Sequence, residues 1–290
     1  MPASRFAFDP TVMTMTTRLD TARRMALGVL GSIFIVSATV HSQAPAGDAR
    51  WDAWQGCWQS VPPATSPDQS RALVCVTLLK NGSAIEIATI NNGKVIARDT
   101  IDASGVRRQF APAGCTGWQR AEWSQDARRV YMRSEISCGT TVTRASTGLL
   151  AMSARDEWLD IQSANANGNS GVRTTRYIEV GPGIVDLPLE FADVISGRVR
   201  TPYLARSLAG SAVGTTAVIE AVSKLDTLVV AAWIVERGQK YELLDARKLV
   251  ALADAGVPGS ITDVMIGLSY PQRFAIEQQS AEPRIGGAPS

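Results

Sequence analysis

Residues 84–101 read AIEIATI, then NNG, then KVIARDTI. Ile85 and Ile87 share one parity, which is typical of a strand with one face on an apolar core. Asn and Gly tolerate a positive φ, so Asn91-Asn92-Gly93 predicts a tight turn between two antiparallel strands. A β-hairpin is therefore the element from which the rest of the fold is predicted.

Segments of the same kind recur before and after this hairpin, about 8–14 residues apart and mostly bounded by Gly, Asn, Asp or Pro. Many short strands at this spacing predict a closed or sandwiched antiparallel sheet. The candidate strands are Ala53–Ser60, Ala72–Leu79, Ala84–Ile90, Lys94–Ile101, Arg107–Ala111, Gly117–Trp123, Arg129–Ile136, Thr141–Met152, Glu157–Ser163 and Val172–Val180.

The hydrophobic period becomes helical from Thr215 onward. The candidate helices are Ala217–Leu225, Thr227–Arg237, Ala246–Ala255 and Ile261–Ser269, with Gly238 and Gly256 as stops. The predicted fold class is α+β, an antiparallel β-barrel or sandwich domain followed by a small all-helical domain. The predicted divisions are a signal peptide at 1–44, a β domain at 45–180, a linker at 181–211, a helical domain at 212–276 and a disordered tail at 277–290.

A basic flank, an uncharged apolar run and a small-x-small site follow one another near the N-terminus. Arg23 and Arg24 precede Met25–Val40, and Ser42-Gln43-Ala44 comes next. This order is typical of a cleaved secretory signal, which predicts a periplasmic or secreted protein. The alternatives are an uncleaved anchor or a buried core helix, because a helix over Met25–Val40 spans only about 24 Å against a hydrocarbon core of about 30 Å. A membrane is a predicted partner only if the leader stays attached.

The charge balance gives no support to a polyanionic partner for the whole molecule. The chain has 29 basic and 27 acidic residues. Removal of the leader takes away four arginines and two aspartates, which leaves 25 residues of each sign. A neutral mature protein has no overall field that attracts nucleic acid, so no nucleic-acid partner is predicted.

Cys57, Cys75, Cys115 and Cys138 all lie in the strand-rich region. An even count after an export signal is typical of two disulfides, and three pairings are open. Cys57–Cys75 and Cys115–Cys138 are favoured because each pair flanks one or two successive strand segments. The alternatives are free thiols or a zinc site, and the lack of a C-x-x-C spacing disfavours zinc.

The single histidine, His41, lies in the predicted leader. The mature chain is therefore expected to lack the usual histidine-based nucleophilic triads and His-ligated zinc. Paired carboxylates can hydrolyse glycosides, but such clusters near strand ends are more often edge charges or turn formers. No catalytic, metal-binding or cofactor-binding residue is predicted. The acidic clusters are Asp156, Glu157 and Asp160, and Glu122 with Asp126.

Gly56-Cys57-Trp58 resembles the G-x-W motif on the first strand of lipocalin-like β-barrels. In that family an arginine from the last strand packs over the tryptophan. The resemblance therefore implies a barrel-end cluster of Trp58 with Arg173 or Arg176. It also implies a cup that holds a small apolar ligand. The alternative is a filled barrel in which the tryptophan plugs one end.

Three functions follow as hypotheses. The first is an exported, non-enzymatic interaction or structural envelope protein whose helical domain docks a protein partner or the β domain. The second is a lipocalin-like binder of a small apolar ligand. The third is a carboxylate-based hydrolase, and the missing histidine makes an enzyme the less favoured reading. No cofactor is expected for any of the three.

Overall fold

The computed structural model of the chain describes most of the predicted β and helical domains. The described residues are 48–62, 71–79, 82–111, 114–139, 142–166, 169–181, 187–192, 194, 201–237 and 244–274. The predicted signal peptide at 1–44 and the predicted tail at 277–290 lie outside them.

Ten strands form one antiparallel sheet, which is followed by five helices. The predicted α+β class is thereby confirmed. The strands are β1 (Gly56–Val61), β2 (Leu73–Leu78), β3 (Ala84–Asn91), β4 (Lys94–Asp102), β5 (Arg108–Phe110), β6 (Cys115–Trp123), β7 (Val130–Cys138), β8 (Val142–Met152), β9 (Trp158–Ala166) and β10 (Asn169–Glu179).

The sheet is a meander that curls back on itself. Its order is β4-β3-β2-β1-β10-β9-β8-β7-β6-β5, so the first and last strands pair and the two edges are consecutive in the chain. A single bridge between Ser104 and Glu122 joins the end of β4 to β6. The result is a barrel with a seam between β4 and β5, whose described residues share no ladder of hydrogen bonds.

Alternation along each strand separates an inner from an outer face. The inner face carries Trp58 and Val74, which are directly opposite each other on β1 and β2. A 3₁₀-helix, η1 (Ala49–Ala53), adds Trp51 and Trp54 to the same cluster. Both indoles lie edge-on to Trp123 of β6. These four indoles, of Trp51, Trp54, Trp58 and Trp123, close one end of the barrel, and we call them the aromatic plug.

Helices pack against part of the outer face of the sheet, chiefly at β8, β9 and β10. They are η2 (Leu189–Phe191), α1 (Thr201–Ala209), α2 (Thr215–Lys224), α3 (Thr227–Arg237), α4 (Ala246–Asp254) and α5 (Gly259–Ser269). Leu149 and Ile161 of the sheet share one buried cluster with Trp233 of α3 and Met265 of α5. None of the described helices is long and apolar enough to cross a bilayer.

The predicted linker holds a helix that is part of the β domain's packing. Helix α1 lies within the 181–211 segment. Its residue Ala209 belongs to the same buried cluster as Trp54 and Trp58. Arg237 at the end of α3 donates hydrogen bonds to the Met152 oxygen at 2.9 Å and to the Gly210 oxygen at 2.8 Å. Burial lowers the pKa of this guanidinium to about 10. Arg237 thus links α3 to β8 and to the segment that follows α1.

Both predicted disulfides are confirmed. Cys57 lies directly opposite Cys75 on β1 and β2, with Cα atoms 4.0 Å apart. Cys115 lies directly opposite Cys138 on β6 and β7, with Cα atoms 4.1 Å apart. The first bridge packs against the outer face beside Val180 and Phe191, and both of its sulfur-bearing residues are fully buried. The second is half-buried and lies at the end of the barrel opposite the aromatic plug.

This difference in burial predicts an order of reduction. A thiol reductant should open Cys115–Cys138 in the folded protein well before Cys57–Cys75, because the attacking thiolate must reach the sulfur atoms. Alkylation followed by peptide mass mapping measures both rates. In denaturant the two bridges should react at similar rates. Equal rates in the folded protein, or the reverse order, would contradict the structure.

Candidate functional site: the barrel lumen

Trp58 of the G-x-W motif lies at the closed end of the barrel and is fully buried. Its indole nitrogen donates to the Trp54 oxygen at 2.8 Å, and its ring lies edge-on to Trp158. The guanidinium carbon of Arg206, on α1, is 4.5 Å from the centre of the Trp58 ring. This geometry is a cation–π contact between two buried side chains, and such contacts are strongest when the groups are desolvated.

Arg206 also joins α1 to the segment before β1 and to the end of β10. Its Nε donates to the Ala53 oxygen at 3.0 Å and its Nη2 to the Gln55 oxygen at 2.9 Å. Its Nη1 pairs with the Glu179 carboxylate at the end of β10. The guanidinium thus satisfies two buried carbonyls and one carboxylate while its flat face covers Trp58.

The two arginines proposed from the sequence occupy other places. Arg176 forms an ion pair with Glu236 of α3, on the outer face of β10. Arg173 lies opposite Gln162 of β9 and shares its parity with Tyr177. The parity of Arg173 places it on the lumen face, two inward positions from Tyr177 and away from the plug. The arginine that covers the tryptophan comes from α1.

Substitution of Arg206 and of Arg176 should distinguish the arginine that holds the barrel end from the one that forms an ion pair on the outer face. Arg206→Gln leaves the Ala53 and Gln55 oxygens and the Glu179 carboxylate without their donor, so the free energy of unfolding should fall by roughly 3 kcal/mol. Arg176→Gln removes an ion pair at the surface and should cost about 1 kcal/mol or less. Urea unfolding measures both. A loss for Arg176→Gln as large as that for Arg206→Gln would show that α1 does not hold the barrel end.

A cavity of about 290 Å³ lies inside the barrel, between the plug and the opposite end. Ile101, Ala121 and Met132 form its apolar wall. The polar lining residues that point inward by parity are Gln119, Ser134, Ser146 and Gln162. The lumen is therefore filled at one end and hollow beyond it.

Small side chains at neighbouring inward positions account for the hollow. Ser134, Ser146, Ala164 and Gly171 are consecutive cross-strand partners on β7, β8, β9 and β10. One position nearer the plug, Gly148 lies between Met132 and Gln162. A Cβ atom on Gly148 would approach the Met132 Cε to 3.0 Å. Larger residues at these positions would fill the space.

Hydrogen-bonding groups line the hollow part. The Ser134 and Ser146 hydroxyl oxygens are 2.7 Å apart. The Gln162 amide donates to both oxygens of Asp160, at 2.9 and 3.2 Å. Burial raises the pKa of the Asp160 carboxyl above its usual range, although Gln162 and Arg173 oppose the shift. A buried carboxylate held by an amide is costly, and such costs are common at binding sites.

The sign of the Asp160 shift predicts a pH-dependent effect on stability. The folded state binds this proton more tightly than the unfolded chain, so ionisation costs stability as the pH rises above about 3.9. Asp160→Asn stays uncharged and should therefore be more stable than the native protein at pH 7, with no difference near pH 3. Denaturant unfolding at the two pH values measures this.

Asp99→Asn provides the matched control, because Asp99 is an exposed carboxylate on β4. It should change stability little at either pH. A loss of stability in Asp160→Asn at pH 7, or a gain that does not depend on pH, would contradict the buried carboxylate.

The acidic clusters noted in the sequence do not converge in one place. Glu122 pairs with Arg120 and Lys224, whereas Asp126 pairs with Arg129 in the β6–β7 turn. Glu157 accepts from Ser153 at the β8–β9 turn, and Asp160 lies in the barrel wall. Within the described ranges, no group of three or more His, Cys, Asp or Glu side chains is placed to hold a metal ion.

Comparison with known proteins gives little further information. No family model matches the chain, and no curated protein matches its sequence. Among solved structures, the chain is similar to the crystal structure of secretory abundant heat soluble protein 4 from Ramazzottius varieornatus. The identity is 12%, the match covers 44% of this chain and 96% of that chain, and the TM-score is 0.29. A likeness at this level supports no inference about fold or function.

Two features of the site were not predicted from the sequence. Arg206 lies within the segment interpreted as a linker, where its only signal is a basic residue between Leu204 and Leu208 on a helical spacing. The ring of small residues at Ser134, Ser146 and Ala164 has no local signal, because it depends on which residues the registers bring side by side.

Proposed function

We propose that this protein binds a small amphipathic molecule in the lumen of its barrel. The observation that supports this most directly is the cavity of about 290 Å³ beyond the aromatic plug. Cores of folded proteins are packed without hollows of this size, so a partly open cavity with its own polar lining is typical of a binding site. Its volume is near the lower limit for small-molecule pockets, which favours a compact ligand.

The lining indicates the chemistry of that ligand. Ile101, Ala121 and Met132 offer an apolar surface. Gln119 and Gln162 offer amide donors and acceptors, and the two serines offer hydroxyls. A ligand with an apolar body and one or two neutral hydrogen-bonding groups satisfies both parts of the lining.

The seam offers a route into the lumen. Val106 and Arg108, which lie between β4 and β6, line the cavity together with Asp102. Arg108 and Asp102 form an ion pair across this segment. Strands without a shared ladder separate at lower cost than paired ones, so the ligand enters where β4 and β5 face each other.

Export of this binder from the cytoplasm is part of the proposal. The leader pattern in residues 1–44 and the two disulfides are compatible with an oxidising compartment. The roles of envelope interaction protein and carboxylate-based hydrolase stay predictions.

Filling the cavity tests the proposal. Ser134→Leu with Ser146→Leu places two large side chains in the hollow and removes both partners of one hydrogen bond, which leaves no orphaned group. Binding is measured with N-phenylnaphthylamine, an uncharged amphipathic dye whose fluorescence rises in an apolar site. The native protein should give saturable enhancement, and the double variant should bind at least about tenfold more weakly.

Ser137→Leu with Thr143→Leu is the matched control. These residues form the corresponding cross-strand hydroxyl pair on the same two strands, but on the outer face, with oxygens 3.2 Å apart. This variant should bind the dye as the native protein does. If the native protein does not bind the dye, or if both double variants bind it equally well, the lumen is not the site.

A further inference from the structure

Outside the barrel, a second depression lies beside the C-terminal end of α2. It consists of two adjoining hollows of about 320 and 400 Å³. Both hollows are lined by Arg133 of β7 and by Ser223 and Lys224 of α2. We call the pair the outer trough. It extends across β6, β7, β8 and β9, which are about 4.8 Å apart, so it is roughly 14 Å long.

Two arginines in the outer trough are forced together by the register of the sheet. Arg120 of β6 lies directly opposite Arg133 of β7. Like charges at directly opposite positions destabilise a sheet. Arg120 is compensated by Glu122 at 2.5 Å. Arg133 is exposed and forms no ion pair or hydrogen bond with any residue that the structure describes.

Two further cations lie beside Arg120 and Arg133 in the outer trough. The Arg107 guanidinium is 4.0 Å from the centre of the Trp118 ring, and the Lys224 ammonium lies 3.2 Å from the Glu122 carboxylate that also serves Arg120. Four cations therefore face three carboxylates in and beside the outer trough. The cations are Arg107, Arg120, Arg133 and Lys224, and the carboxylates are Glu122, Glu135 and Asp226.

The rest of the lining mixes neutral polar residues with apolar ones such as Ala145 and Leu225. Thr147, Ser163 and Asn165 line the second hollow, and Trp118 lines the first. Hydroxyl and amide groups along an open trough, with an indole at one end, suit the hydroxyls and ring faces of sugars. The unpaired guanidinium suits a sulfate or a carboxylate, which it can bind in a bidentate manner.

We propose that the outer trough binds a strand of acidic polysaccharide, with Arg133 and Arg107 on its sulfate or carboxylate groups. An anion at this position offsets the repulsion between Arg120 and Arg133. The length of the trough favours a chain over a single ion. By parity the Arg133 and Trp118 side chains point outward, whereas Ser134 and Gln119 point inward. The trough and the lumen cavity share Arg133 and Thr147 at their border.

The test uses the folded protein and three polymers. Heparin supplies sulfates, polygalacturonate supplies carboxylates, and dextran is the neutral control. Affinity is measured by titration calorimetry at low and moderate salt. At least one acidic polymer should bind, dextran should not, and affinity should fall as salt rises. Arg133→Gln should weaken binding about tenfold, and Arg107→Gln with Arg133→Gln should abolish it at moderate salt.

Arg71→Gln is the matched control, because Arg71 is an exposed arginine before β2, three strands beyond β9 in the sheet. It should bind as the native protein does. A general loss of structure is distinguished by stability: Arg133→Gln removes a like-charge pair and should unfold at an equal or higher urea concentration.

Several results would overturn the proposal. One is the absence of binding of both acidic polymers at low salt. Another is equal affinity of Arg133→Gln and the native protein. Binding of dextran as strong as that of heparin would exclude an anion site. Single-stranded DNA is titrated as a fourth polymer, and tighter binding of it than of either acidic polysaccharide would assign the trough to nucleic acid instead.

Discussion

The packing of Arg206 against Trp58 is the contact on which the rest of the structure depends. A guanidinium that is 4% exposed would be costly without partners, and here the Ala53 and Gln55 oxygens and the Glu179 carboxylate all accept its protons. These partners come from the start and the end of the sheet. The contact therefore fixes where β1 and β10 meet and closes the meander, while α1 is held over the plug.

The closed end allows the remainder of the barrel to stay hollow. Trp51, Trp54 and Trp58 bury large apolar areas at one end, which supplies much of the hydrophobic stabilisation of the inner core. The small residues of β7 to β10 can then leave a cavity without loss of the fold. The Asp160 carboxyl lies in the wall of this region, where burial raises its pKa. The tryptophan-filled end of the barrel thus stabilises the fold, and the hollow part beyond it leaves space for a ligand.

The fold could be predicted from the sequence to the extent that its signals are local. Alternation in Ala84–Ile90 and the Asn91-Asn92-Gly93 turn predict a hairpin, and the structure has β3 and β4 there. The disulfide pairing followed from the strands that lie between the cysteines. The arginine over Trp58 was beyond reach, because Arg206 is 148 residues away along the chain from Trp58 and in a segment with weak helical character. The hollow depends on the registers of four strands, which no local pattern specifies.

A crystal structure of the protein with bound N-phenylnaphthylamine tests the central claim most directly. The account predicts electron density for the dye inside the barrel, between Met132 and the Ser134–Ser146 pair, with the aromatic plug and Arg206 unmoved. Dye bound only on the outside of the sheet, or a lumen filled by rearranged side chains, would contradict it.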